Sequence, residues 1–124
     1  VTLFERGDFT LHSGERSKYR INCDRLSDED IAMVAKRLSE IVPPYSSVEG
    51  IPTGGLRLAE AMKAHFAVGP GCHLIVDDVW TTGHSMAAAV DDYVGPGPVY
   101  GAVIFNRGVG STPMWLTCFC DIDI

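Results

Sequence analysis

The chain has 124 residues, 46% hydrophobic and 21% charged, the balance of one ordinary globular domain with enough apolar material for its own core. Ten basic against sixteen acidic side chains give a net charge of -6 and a pI near 5.0, which argues against non-specific binding to nucleic acid or to an anionic membrane, since both need a basic face. No apolar run is long enough to span a bilayer, and Val1 to Thr10 is too polar for a signal peptide, so the expectation is a cytoplasmic protein.

The opening reads as a hairpin. Phe9 to His12 and Tyr19 to Cys23 are strand-like, and Ser13 to Ser17 is polar turn material. Ser27-Asp28-Glu29-Asp30 announces a helix, with Ser27 as N-cap and acids suited to the positive end of the dipole. Ile31, Val34, Ala35 and Leu38 have helical spacing, and Pro43-Pro44 ends the run. A short strand over Ser47 to Ile51 leads into Gly50-Ile-Pro-Thr-Gly-Gly55. A helix follows with Leu58, Ala59, Met62 and Phe66 on one face. His73 to Val76 is an apolar strand running into Asp77-Asp78. Thr81-Thr-Gly-His-Ser85 opens a helix over Met86 to about Tyr93, and Val99 to Phe105 and Trp115 to Ile122 are further strands. The alternation predicts an α/β fold: a central, mainly parallel sheet with flanking helices, preceded by an N-terminal β-hairpin. The whole of 1–124 reads as one domain, with a hairpin segment over 1–25 and an α/β core over 26–124. Ligands of such sheets bind beyond the carboxyl ends of the strands, where the Gly50–Gly55 stretch, the 77–85 stretch and Asn106-Arg107 all fall.

Four cysteines stand at 23, 72, 118 and 120. Cys118 and Cys120 would share one face of a strand, and C-x-C is neither the redox nor the zinc spacing, so the cysteines read as reduced, buried thiols.

Leu74 to Ser85 carries the most chemistry. Backbone N–H groups over Thr81 to Ser85 at a helix start make an anion site, Gly83 allows close approach, and Thr81, Thr82 and Ser85 add hydroxyls. Asp77 and Asp78 are suited to accept from sugar hydroxyls and to hold a hydrated Mg²⁺. A phosphorylated sugar fits that combination. An ordinary strand-to-helix turn capped by Thr and Ser, with solvated aspartates, accounts for the same residues equally well. The lysine of a P-loop is missing.

The stretch Leu74-Ile-Val-Asp-Asp-Val-Trp-Thr-Thr-Gly-His-Ser85 resembles the phosphoribosyl-pyrophosphate (PRPP) signature of type I phosphoribosyltransferases, with Trp80 in place of an aliphatic residue and His73 in place of an apolar one. Phe9-Thr-Leu-His-Ser-Gly14 with Ser17 and Tyr19, Gly50-Ile-Pro-Thr-Gly-Gly-Leu-Arg-Leu-Ala59, and Val99 to Arg107 resemble, in the same order, segments of orotate phosphoribosyltransferases. The resemblance covers about residues 8 to 108. It implies transfer of phosphoribosyl from PRPP to a nucleobase such as orotate, with release of pyrophosphate, in a Mg²⁺-dependent homodimer. By the same resemblance Asp77 and Asp78 would contact the ribose hydroxyls and hold Mg²⁺ through water. Thr81, Thr82, Gly83, His84 and Ser85 would bind the 5′-phosphate, and Thr53, Gly54 and Gly55 the pyrophosphate. Arg107 and His12 would contact the base.

The sequence departs from the family in one respect that bears on mechanism. The family carries another strand and a long mobile loop, rich in lysine, arginine and histidine, between the helix after the pyrophosphate loop and the PRPP motif. Here Phe66 is followed by Ala-Val-Gly-Pro-Gly-Cys72 and then His73. Cations near the departing pyrophosphate offset the charge it develops, so the leaving-group apparatus reads as reduced. A PRPP- or nucleotide-binding regulatory module without turnover is therefore the alternative, and a purely structural unit a third. Arg20 and Ile21 replace residues that are often aromatic in the family. His65 reads as a helix-face residue, and His84 as a helix start whose backbone matters more than its ring. Arg16, Arg20 and Arg57 read as surface cations, any of which would be able to replace lost loop charge. Trp80 is either a packing residue or an aromatic wall of the ligand pocket.

Overall fold

A computed structural model of the chain describes residues 3–11, 14–108 and 111–122. The expected hairpin forms from β1 (Phe4–Thr10) and β2 (Arg16–Ile21), antiparallel, with a register irregularity between Arg6 and Phe9. It starts five residues earlier than the apolar pattern suggests, because Glu5 and Arg6 pair across to Arg20 and Tyr19. A 3-10 turn over Cys23–Arg25 then leads into α1 (Asp28–Ile41). Ser27 caps α1 as expected: its hydroxyl accepts from Asp30 N–H while the Asp30 carboxylate accepts from Ser27 N–H, a reciprocal box that satisfies two otherwise orphaned donors.

Four strands form one parallel sheet in the order β3 (Tyr45–Gly50), β4 (Cys72–Trp80), β5 (Val99–Asn106), β6 (Leu116–Asp121). The crossovers are α2 (Leu56–Met62) and α3 (His84–Asp92). The helix pair α1 and α2 packs Ile31, Val34, Ala35, Leu38, Leu58, Ala59 and Met62 with Leu74, Val76, Ala102 and Ile104 of the sheet. A second cluster, Ile51, Ile75, Trp80, Met86 and Val103, lies under α3. Successive β4 residues thus feed opposite clusters, as the period of a strand requires when both faces are covered.

Two expectations need correction. Phe66 does not share the α2 face: α2 ends at Met62, a 3-10 turn follows over Lys63–His65, and Phe66 is exposed beyond it. The strand expected over His73 to Val76 does not end there: β4 keeps pairing with β5 through Val79↔Phe105 and Trp80↔Asn106. Cys118 and Cys120 lie two residues apart in β6, opposite Val103 and Phe105 of β5 in an unbroken register, so they share one face as expected. All four cysteines are free, and of them only Cys72 is buried.

Leu74 lies fully buried on a central strand between α2 and β5. Leu74→Ala should lower unfolding stability by about 2–5 kcal/mol, the range for a buried leucine truncated in a close-packed core, measured by urea denaturation.

Candidate active site

The carboxyl ends of the parallel strands gather the functional residues. Asp77 and Asp78 sit inside β4, both half-buried, and local hydrogen bonds fix them: Asp78 N–H donates to Asp77 Oδ1 at 2.8 Å and Val79 N–H to Asp78 Oδ1 at 2.8 Å. The Gly50–Gly55 loop folds onto this strand end. Ile51 N–H donates to Val76 C=O at 2.9 Å and Gly55 N–H to Ile51 C=O at 2.8 Å. The peptide between Pro52 and Thr53 is cis. At Gly54 an added Cβ would stand 2.2 Å from Asp78 Oδ2, so only glycine lets the loop lie against that carboxylate.

Three cavities meet at the pair. The first, about 130 Å³, is lined by Asp77 and by all five expected phosphate-loop residues, Thr81, Thr82, Gly83, His84 and Ser85. The second, about 290 Å³, runs between hairpin and core and includes Phe9, Thr10, Arg20, Gly54, Arg107 and both aspartates. The third, about 410 Å³, is lined by Asp78, Thr53, Gly54, Cys23, Asp24 and Arg57, among others. Asp77 is thus a wall between the first and second cavities, and Asp78 between the second and third. Gly55 lines none of the three; its bare Cα lets the loop pack on Val76 C=O, where an added Cβ would meet the oxygen at 2.4 Å.

The loop before α3 is shaped by glycine and tryptophan rather than by a hydroxyl cap. Gly83 is the N-cap at φ 80°, with no side-chain cap bond. The Trp80 indole lies directly beneath it, 2.2 Å from where a Cβ would be, and packs edge-on against Trp115 at 6.0 Å. Trp80 is therefore a packing residue that also forms the floor of the first cavity. The threonine and serine hydroxyls are left to the cavity instead of the cap.

Arg107 reaches the site from the end of β5, its N–H donating to Trp80 C=O at 2.9 Å. Its guanidinium donates to Ser17 Oγ at 2.8 Å and to Tyr19 C=O at 3.3 Å, and lies over the Tyr19 ring at 3.8 Å. These partners are neutral, so the cation is oriented by the hairpin and keeps its charge for the cleft. His12, expected beside the base, lies outside the described residues. Arg20 lines the same cleft, pairs with Glu5 at 2.6 Å and lies 4.9 Å from the Phe9 ring. Its place in the cleft was readable only from its position after Tyr19.

Burial, a hydrogen bond to Asp78 and the charge of Asp78 push the Asp77 carboxyl up from 3.8 to about 8. Burial first, then the charge of Asp78 and a hydrogen bond to it, push the Cys23 thiol up, so Cys23 is a protonated neighbour of the site and not a nucleophile. The two carboxylates are hard oxygen donors whose mutual repulsion a cation relieves. Among the described residues no cluster of three or more acidic, histidine or cysteine groups forms a complete cage. That donor set fits a magnesium ion that keeps most of its waters and completes its shell with substrate oxygens.

The other buried polar cluster is self-satisfied. His73 bonds Ser47 Oγ and Glu49 Oε1, each at 2.7 Å, and stacks on Tyr93 at 4.0 Å. These partners explain a histidine at an apolar strand position.

Asp77 has a raised native pKa, so its stabilising effect is complete below the unfolded value near 3.8 and is lost as pH rises through about 8. Without added cation or ligand, Asp77→Asn should therefore raise the melting temperature more at pH 8.5 than at pH 4, read by thermal denaturation.

No protein-family model matches the sequence. An orotate phosphoribosyltransferase of Aeropyrum pernix is 32% identical over 136 positions, spanning 86% of this chain and 73% of that protein. The crystal structure of an orotate phosphoribosyltransferase from Aeropyrum pernix superposes with a TM-score of 0.69 at 27% identity, covering 96% of this chain and 88% of that one. An orotate phosphoribosyltransferase of Mycobacterium tuberculosis H37Rv, solved with PRPP, has a TM-score of 0.63 at 22% identity over 91% of this chain and 86% of that one, a likeness of fold. With the PRPP-type motif at the end of β4 and this relative in hand, the chain belongs to the orotate phosphoribosyltransferase family.

Proposed function

We propose that this protein transfers phosphoribosyl from PRPP to a nitrogen of a nucleobase, orotate in the first instance, and releases pyrophosphate. The observation that carries the reading is the meeting of three cavities at Asp77 and Asp78, one for each group attached to, or approaching, a central ribose. In the reaction the base nitrogen forms a bond to the anomeric carbon, and the bond from that carbon to the pyrophosphate oxygen breaks. The electron pair leaves with pyrophosphate, and the base gives up its N–H proton.

Each group in the chain has a task. The Thr81 to Ser85 loop fixes the 5′-phosphate through backbone N–H groups and hydroxyls. Asp77 and Asp78 accept from the ribose hydroxyls and face the positive charge that develops on the ring. Thr53 and Gly54 present backbone to the pyrophosphate, and Gly55 lets their loop pack on the end of the sheet. Arg107, held over Tyr19, orients an acidic base by a charged bond to its carboxylate. Asp77 and Asp78 would hold a magnesium ion through water, and that ion would supply charge neutralisation to the phosphoanhydride. No described helix is long and apolar enough to cross a membrane, and a cytoplasmic homodimer is the proposed setting.

A second reading, binding of PRPP without turnover, is favoured by one observation. Only Phe66–Gly71 joins the 3-10 turn after α2 to β4, which leaves no length for a catalytic loop.

Calorimetric titration with PRPP and Mg²⁺ should show saturable binding to the parent protein and its loss in the Asp77→Asn/Asp78→Asn double variant. Pyrophosphate release with orotate, absent in that variant, establishes turnover. Binding without release across a panel of bases leaves the second reading, and no binding by the folded parent overturns both.

A further inference from the structure

The connection between α2 and β4 leaves the leaving group without the cations a long loop would bring. Three arginines are the only lysines or arginines that line these cavities. The first cavity has no lysine or arginine in its lining, and the hairpin cleft has Arg20 and Arg107. The third cavity, which holds the pyrophosphate-loop residues Thr53 and Gly54, has one cation among its lining residues, Arg57.

Arg57 is held in place by groups that are mostly neutral. Its Nη2 donates to Leu26 C=O at 3.0 Å and to Asp28 Oδ1 at 3.1 Å, and Nη1 to Cys23 C=O at 3.5 Å. The Asp28 carboxylate is almost wholly exposed, at 98%, so water screens that pair strongly and it takes little from the cation. The Arg57 side chain is itself 41% exposed, and a guanidinium has five donors, so capacity remains for an anion in the cavity. Asp24 and Asp78 line the same space. A polyanion entering there meets one positive side chain against two carboxylates, so removal of Arg57 removes all the positive side-chain charge of that lining.

From this placement, and resting on the transferase reading above, we propose that Arg57 binds the pyrophosphate group of PRPP and stabilises it as it leaves, in place of the cations that a long catalytic loop would carry. Its charge acts on the phosphoanhydride and not on the ribose 5-phosphate portion. The bond order at the anomeric carbon falls as negative charge grows on the departing oxygens, and a fixed guanidinium offsets that growth without reorganising.

Calorimetric titrations in Mg²⁺ with PRPP and with ribose 5-phosphate separate the two portions. In Arg57→Gln, PRPP affinity should fall by about 10-fold, the loss of one charged hydrogen bond, while ribose 5-phosphate affinity stays within about twofold. Arg57→Lys should keep most of the PRPP affinity. Asp28→Asn, which removes one brace but leaves the cation, should not weaken PRPP. Equal losses for both ligands in Arg57→Gln would mean a purely structural brace and overturn the proposal, as would unchanged PRPP affinity. A parent protein that binds the two ligands equally well overturns the role of Arg57 and leaves the sugar-phosphate site standing. A folded parent that binds neither overturns the transferase reading and this proposal together.

Discussion

Two adjacent carboxylates held half-buried at the end of β4 set the terms for everything around them. Taking like charges out of water is costly, and the protein meets part of that cost by keeping Asp77 protonated toward neutral pH. The rest is met by geometry. Backbone N–H groups of Asp78 and Val79 bond the two carboxylates, and Gly54 brings a loop against Asp78 that any side chain would block. Such a pair is poorly stable alone and well suited to a polyhydroxylated, cation-bearing ligand, which supplies donors and positive charge in one step. The local destabilisation and the binding function therefore have one cause, as is common where ionisable groups are strongly perturbed in a cleft.

The hairpin belongs to this arrangement through Arg107. Its guanidinium links the end of β5 to Ser17 and Tyr19 of β2, so the second cavity exists only while the hairpin is latched to the core. The latch uses a hydroxyl, a carbonyl and an aromatic face, none of which neutralises the cation. Arg57 makes the equivalent link on the other side of Asp78, joining α2 to the carbonyls before α1. Each arginine thus ties the N-terminal segment to the core and borders a cavity. Loosening the hairpin and weakening a ligand contact are coupled events in such a design.

Much of this was legible in the sequence because it depends on short-range pattern. The Ser27 box, the apolar β4 run and the alternation of strands and helices follow from local spacing, and they yield the parallel sheet with its hairpin. The five residues Thr81 to Ser85 come together because they are contiguous. What was not legible depends on contacts distant in sequence. The role of Trp80 follows from Gly83 lying on its ring and Trp115 standing beside it, 35 residues further on. His73 is explained only by Ser47 and Glu49 on the neighbouring strand. Arg57 is one of three surface cations that the sequence offers as replacements for lost loop charge, and only the fold singles it out by bringing Thr53, Gly54 and Asp78 around one cavity with it. Phe66 follows the helical period yet falls off the helix, because a 3-10 turn intervenes and periodicity carries no information about where a helix stops.

The short Phe66–Gly71 connection explains why charge placement matters more here than in a protein with a long loop. A mobile loop does two separable things: it brings cations to the leaving group, and it excludes water from the reacting carbon. A fixed arginine at the cavity wall replaces the first and not the second. Loss of one transition-state contact of this kind costs on the order of 10²–10³ in rate, so retention of the cation preserves a large part of catalysis. The open cavity costs something different, since water then competes with the base for the same carbon. The hairpin bears on that second loss, because it walls the second cavity with Phe9, Thr10 and Leu11 and is tied down by Arg107. On the transferase reading, charge supplied by a fixed side chain and cover supplied by a latched hairpin are together the physical means by which a member of this family with so short a connection would keep turnover.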